Sequence, residues 1–195
     1  MKPRSPSPRR GPKPVTPAHL ENIALYYLER FATSSANLRR VLMRKVARSA
    51  TAHGTDAQEG ERLVDEIIAR YLGAGLLDDR AYAAQKVLSL RRRGASTYGI
   101  RGKLAVKGLD AELIAETLGR LDQETSASEL AAACALVRRR RLGPYRAAAT
   151  RPAFRRRDLA ILARAGFGFE LARRVIAARD VEALEALERE AAKET

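Results

Sequence analysis

GLLDDRAYAAQKVLSLRRRGASTYGIRGKLAVKGLDAELIAETLGRL, residues 75–121, is the stretch whose reading decides the fold. It reads as three short helices joined by two tight turns. Asp79 offers a carboxylate to the free N–H groups of a first helical turn. Ala81, Ala84 and Leu88 then recur along one helical face. The pattern breaks at Arg93 and Gly94. Ser96 caps a second helix with Ile100 and Leu104 on one side. Gly108 ends it, because a left-handed residue costs least without a Cβ. Leu109 packs back on that helix and Asp110 caps a third, whose inner stripe is Leu113, Ile114, Thr117, Leu118 and Leu121. A helical unit of about 45 residues lies within the period range of repeat architectures.

Working outward, the same unit recurs on both sides. Upstream, residues 17–31 form a helix with Pro17 in its first turn and an inner stripe of Leu20, Ile23, Ala24, Tyr27, Leu28 and Phe31. Ser34 caps a second helix carrying Leu38, Val41, Leu42 and Val46. Residues 51–60 are polar and glycine-bearing and read as a loop. A third helix, 61–72, buries Leu63, Val64, Ile67, Ile68 and Tyr71 and is closed by Gly73 and Gly75. Downstream, a helix over 126–142 turns Leu130, Ala133, Cys134 and Val137 inward until Gly143 and Pro144 stop it. Helices follow over 152–165 and 169–179. Gly166 and Phe167 repeat the turn made by Gly108 and Leu109, Leu162 stands where Leu104 stood, and Val175 and Ile176 match Thr117 and Leu118.

The expected fold is therefore all-α: three tandem three-helix, helix-turn-helix-like repeats, 17–74, 75–122 and 123–179, in an elongated and curved array. A basic, proline-rich tail, 1–16, has too little apolar surface to fold and is expected to be disordered. Residues 180–195 form a short acidic helix, with Val181, Leu184, Leu187 and Ala191 on one face, added to the shared core.

The chain has 195 residues, 46% of them hydrophobic, with no Trp and one cysteine. That single thiol excludes an intrachain disulfide and fits a reducing compartment. No apolar run approaches the roughly 18 residues of a membrane span, and no signal core follows the basic N-terminus, so a cytoplasmic protein is expected. The net charge is +14. Residues 180–195 contribute −4 and the remainder carries +18, a field that attracts polyanions, nucleic acid first.

No catalytic constellation is visible. His19 and His53 are far apart and polar in setting, no cluster has metal-ligand spacing, and no phosphate-cradling glycine loop of the NTPase kind occurs. Asp78 and Asp79 are better explained by helix capping than as an acid–base pair. Cys134 lies on an apolar face and reads as a small buried hydrophobe. The expectation is a protein without enzymatic activity, cofactor or metal.

What remains is cations on helices. Arg91, Arg92 and Arg93 end one helix, and Arg101, Lys103 and Lys107 continue on the next, set to form one charged face opposite Ile100 and Leu104. Arg138, Arg139, Arg140 and Arg141 end the first helix of the third unit. Arg155, Arg156 and Arg157 stand near the start of its second helix, where the macrodipole does not favour cations. These residues are the candidate partner and DNA-binding surface.

At this point the chain resembles a known family. Ala24-Leu25-Tyr26-Tyr27-Leu28, then Ser34-Ser35-Ala36-Asn37-Leu38-Arg39, resemble its opening helices, with Asn37 where a glutamate would complete a capping box. Gly75-Leu76-Leu77-Asp78-Asp79-Arg80-Ala81-Tyr82-Ala83 resembles its central signature. Ile100 through Leu109 and Arg164-Ala165-Gly166-Phe167 follow in the family's order and spacing. The family is RecX, bacterial regulators of the RecA recombinase. The resemblance implies a protein, expected to be a monomer, that lies in the groove of the RecA–DNA filament, with single- or double-stranded DNA nearby, blocks its extension and damps its ATPase and strand exchange. The rival reading is a stand-alone helix-turn-helix DNA- or RNA-binding protein. Against it, residues 110–118 in the third-helix position carry three acids and no base.

Overall fold

The computed structural model describes residues 13–124 and 128–193. Among these residues the chain is all-helical, without strands: ten α-helices and two short 3-10 turns. It divides into two compact units, Met1–Asp78 and Asp79–Thr195. The expected tail disorder over residues 1–12 and the expected helix start at Ser126 lie outside the described residues.

The first unit holds α1 (Pro17–Arg30), α2 (Ser35–His53) and α3 (Ala57–Gly73). Its core gathers Leu20, Ala24, Leu38, Leu42, Val46, Val64, Ile67, Tyr71 and Leu77. The Thr16 and Ser34 side chains accept the first-turn N–H groups of α1 and α2. The residues just before α1 are not loose: the Val15 N–H donates to the Ser49 hydroxyl at 2.9 Å, and Val15 packs on the core. Residues 51–60, read as a loop, are mostly helical. Gly54 takes a left-handed cap at φ 65°, Asp56 accepts from the Gln58 and Glu59 N–H groups, and α3 starts at once. Gly60 then brings α3 against α2, since a Cβ there would lie 2.5 Å from a Val46 methyl carbon. His53, expected in that loop, ends α2.

Two further readings of the first unit change. Phe31 caps α1 in extended backbone and is exposed, its ring centre 5.1 Å from that of Tyr27 and tilted by 45°, instead of entering the core. Asn37 is no failed capping box: its amide donates to the Tyr27 and Thr33 hydroxyls and ties α2 to α1.

The second unit runs α4 (Asp79–Arg92), α5 (Thr97–Val106), α6 (Ala111–Glu124), α7 (Glu129–Arg140), α8 (Arg151–Arg164), α9 (Phe169–Ile176) and α10 (Val181–Lys193). It contains two cores. One gathers Tyr82, Ala83, Val87, Leu90, Ile100, Leu104, Leu109, Ile114, Leu118 and Leu121. The other gathers residues of α7, α8 and α9 with Leu142, Phe167 and Leu184. The expected inner stripe of α4 is rotated: Ala81 is exposed and Ala84 and Leu88 are half-buried, while Tyr82, Ala83, Val87, Leu90 and Arg91 are buried. This helix packs against both α6 and α7, so its buried face is wider than one stripe.

The glycine turns fall where the repeat places them. Gly108 and Gly166 sit at φ 78° and 88°. The next residues, Leu109 and Phe167, donate their N–H groups back to the Leu104 and Leu162 carbonyls and are buried. The stop of α7 differs. Arg141 caps the helix in left-handed backbone at φ 53°, two residues ahead of Gly143 at φ 50°, and buried Leu142 donates to the Val137 carbonyl. Helix α9 ends at Ile176, short of the expected 179. Helix α10 is part of the third core, with Leu184 fully buried, rather than an appended element.

Candidate nucleic-acid and partner interface

The structure sorts the candidate cations into two kinds. Arg91 does not reach the surface. Its side chain is 1% exposed and pairs with Glu129 at the start of α7, and it donates to the Thr97 hydroxyl at 2.7 Å. The same Glu129 accepts the Thr97 N–H at 2.8 Å and its hydroxyl at 2.5 Å. One carboxylate thus binds the end of α4, the start of α5 and the start of α7. Ser96 extends the seam, donating its hydroxyl to the Ala165 carbonyl at 2.5 Å. Gly94, at φ 76°, lies so close to α7 that a Cβ would stand 2.6 Å from the Leu136 backbone nitrogen. Buried and paired with Glu129, Arg91 does not face a phosphate, unlike the surface position expected for it.

Arg138 is also engaged: it pairs with Glu188 of α10 at 2.6 Å and donates to the Tyr145 hydroxyl. Like Arg138, the residues Arg92, Arg93, Arg101, Lys103, Arg139, Arg140, Arg141, Arg155, Arg156 and Arg157 are exposed, and Lys107 is half-exposed. The expected single charged face on α5 does not form. A helical residue turns about 100°, so Arg101 and Lys103 fall on opposite flanks of the buried Ile100 and Leu104. Lys103 and Lys107 share a flank. Tyr98 and Val106, 77% and 70% exposed, lie between the flanks.

Arg155, Arg156 and Arg157 begin at the fifth residue of α8, beyond the first turn, where the helix dipole acts. The next residue, Asp158, points inward and is 1% exposed. It accepts from the Nε and Nη2 of Arg146, both at 2.8 Å, and from the Gly143 N–H at 2.9 Å. Burial alone would raise its carboxyl, but the Arg146 and Gly143 hydrogen bonds win and hold it below the usual carboxylate range. This leaves the three arginines outward. Arg155 also lines a cleft of about 540 Å³ between α8 and α9, with Arg173 and Arg174. Glu170 takes Arg173, and among the described residues Arg155 and Arg174 make no ion pair. That geometry can accept an anion.

A further basic face went unread in the sequence. Val41, Arg44, Lys45 and Arg48 share one side of α2, and Ile23, Tyr26 and Tyr27 face them from α1. Its signal in the sequence is the i, i+3, i+4, i+7 spacing of these four residues, of which the expected core stripe uses Val41 alone.

Cys134 is fully enclosed in the third core, and burial pushes its thiol up to about 12. Among the described residues no three His, Cys, Asp or Glu side chains come together to hold a metal ion. No described helix is long and apolar enough to cross a membrane.

Comparison with known proteins closes the assignment. The family model described as "RecX, second three-helix domain" matches residues 78–118, within α4–α6 and the residue before them. The chain is similar to the Regulatory protein RecX of Myxococcus xanthus strain DK1622, 45% identical over 171 residues, covering 86% of this chain and 90% of that protein. It is 33% identical over 162 residues to the Regulatory protein RecX of Agrobacterium fabrum strain C58, covering 83% of this chain and 84% of the relative. No solved structure matches the chain. With this identity spread over most of both relatives, the chain belongs to the RecX family of regulatory proteins.

Proposed function

We propose that this protein is a non-enzymatic regulator that binds the RecA–DNA filament and restrains RecA's ATPase and strand exchange. Family membership supports a regulator of the RecX type. The observation that supports the finer reading is the sorting of cations: Arg91 is buried in the fold and Arg138 is held by Glu188 at the surface, while Arg92, Arg93, Arg139, Arg140, Arg141, Arg155, Arg156 and Arg157 are exposed. Exposed arginines offer phosphate a planar fork of donors that can bind it bidentately. The proposed contact surface is this set with Arg101, Lys103 and Lys107.

The test is RecA's DNA-dependent ATPase, titrated with the wild-type protein and with a variant carrying Arg92→Glu, Arg93→Glu and Lys103→Glu. Wild type is expected to inhibit at substoichiometric amounts. The variant is expected to keep its helicity and lose inhibition, with the salt dependence of filament binding flattened by about 2 log units per decade for three lost contacts. RecA activity that is unchanged at equimolar wild-type protein would overturn the reading.

A further inference from the structure

The groove between α1 and α2 has a composition that the regulatory reading does not use. Its volume is about 310 Å³, and it is lined by Ile23, Tyr26, Tyr27, Val41, Arg44, Lys45 and Arg48. The two walls differ in chemistry. From α1 comes an aromatic and aliphatic wall, with Tyr26 56% exposed and Phe31, 55% exposed, continuing it beside Tyr27. From α2 comes a cationic wall. That helix carries five Lys and Arg side chains and no carboxylate.

The acids of α3 do not neutralise this wall. Glu61 and Asp65 both go to Arg39, on a different side of α2, at 2.6 Å. Among the described residues Arg44, Lys45 and Arg48 make no ion pair. Arg30 adds a fourth cation, its guanidinium 4.2 Å from the Tyr26 ring centre. Arg48 lies one turn from both Arg44 and Lys45, and like charges at that spacing repel on a helix surface, so the fold itself gains nothing from them. An exposed tyrosine is likewise no asset to stability.

We propose that this groove binds single-stranded nucleic acid, with a base stacked on Tyr26 and the flanking phosphates on Arg44, Lys45 and Arg48. The choice of occupant follows from the pairing of the two walls. A polyanion alone would use the cations and leave the aromatic wall idle. Duplex DNA hides its base faces in the stack, whereas a single strand offers both a π-face and a phosphate at each step. The groove offers no Asn, Gln, Asp or Glu to read an adenine or cytosine edge, and its Arg and Lys side chains are assigned to phosphate, so binding is expected to tolerate sequence. The proposal does not rest on RecA and is tested without it.

The experiment measures fluorescence anisotropy of a labelled oligo-thymidylate with the full-length protein across a salt series. Two variants are compared with wild type: Arg44→Gln with Lys45→Gln and Arg48→Gln, and Tyr26→Leu, which keeps an apolar side chain but loses the stacking ring. Circular dichroism checks that both are folded. The triple variant is expected to flatten the salt slope by about 2 log units per decade, at about 0.7 per single-strand phosphate. Tyr26→Leu is expected to weaken oligo-thymidylate binding at least about fivefold, to leave the slope unchanged, and to leave duplex binding untouched. An unaltered slope in the triple variant, or unaltered affinity in Tyr26→Leu, overturns the proposal. In the second case, displacement of the oligonucleotide by poly-glutamate would identify the groove as a site for an acidic protein segment instead.

Discussion

Removing the Arg91 side chain strips Glu129 of its cation while Thr97 still points at the carboxylate. Breaking a buried pair by deleting one partner costs about 3–5 kcal/mol, and Glu129, 31% exposed, places this one near the lower end. Arg91→Ala is therefore expected to lower unfolding free energy by about 3 kcal/mol in a urea titration. Arg92→Ala, one residue along and exposed, should change it by no more than about 0.5 kcal/mol. Asp158 makes a similar argument in pH. Its carboxyl sits below its unfolded value near 3.9, so the stability it contributes is present above that pH and is lost as pH falls through the folded value. The stability gap between wild type and Asp158→Asn should be full at neutral pH and shrink below about pH 4, read by denaturant unfolding at each pH.

At the scale of elements, the turns are the joints. Gly54 and Gly94 both hold left-handed backbone, at φ 65° and 76°. A Cβ at Gly54 meets open space, whereas one at Gly94 meets the backbone of Leu136 and Ala132. Gly54→Ala should cost about 1 kcal/mol for conformation alone. Gly94→Ala should cost several times more, because backbone cannot step aside as a side chain can, and thermal unfolding of the two variants separates the cases. The sequence carried much of this level. Gly108 with Leu109 and Gly166 with Phe167 are local signals, and the structure closes both turns as read. What depends on a distant partner was not legible. Arg91 looks like Arg92 until Glu129, 38 residues away, is placed beside it. The split of Arg101 from Lys103 and the shared face of Arg44, Lys45 and Arg48 are both legible from the helical period alone. The start of α3 was missed because Asp56 and Gly60 resemble loop residues until their cap and their contact with Val46 are seen.

At the scale of the molecule, the unit Asp79–Thr195 joins two cores through one short seam. Glu129, Ser96 and Gly94 supply hydrogen bonds, an ion pair and backbone proximity there without adding to either core. Disturbing that seam loosens both sides, so a defect at Arg91 or Gly94 should be felt in the third core as well as the second. The chain carries its own means of watching this. Its single cysteine, Cys134, is sealed in the third core with its thiol held protonated. An alkylating reagent reacts with thiolate and needs access, so each labelling event records one opening of that core. Mass-spectrometric labelling of the native protein would thus act as a clock without any engineered probe. Arg91→Ala should make it run faster, and Arg92→Ala should leave its rate unchanged.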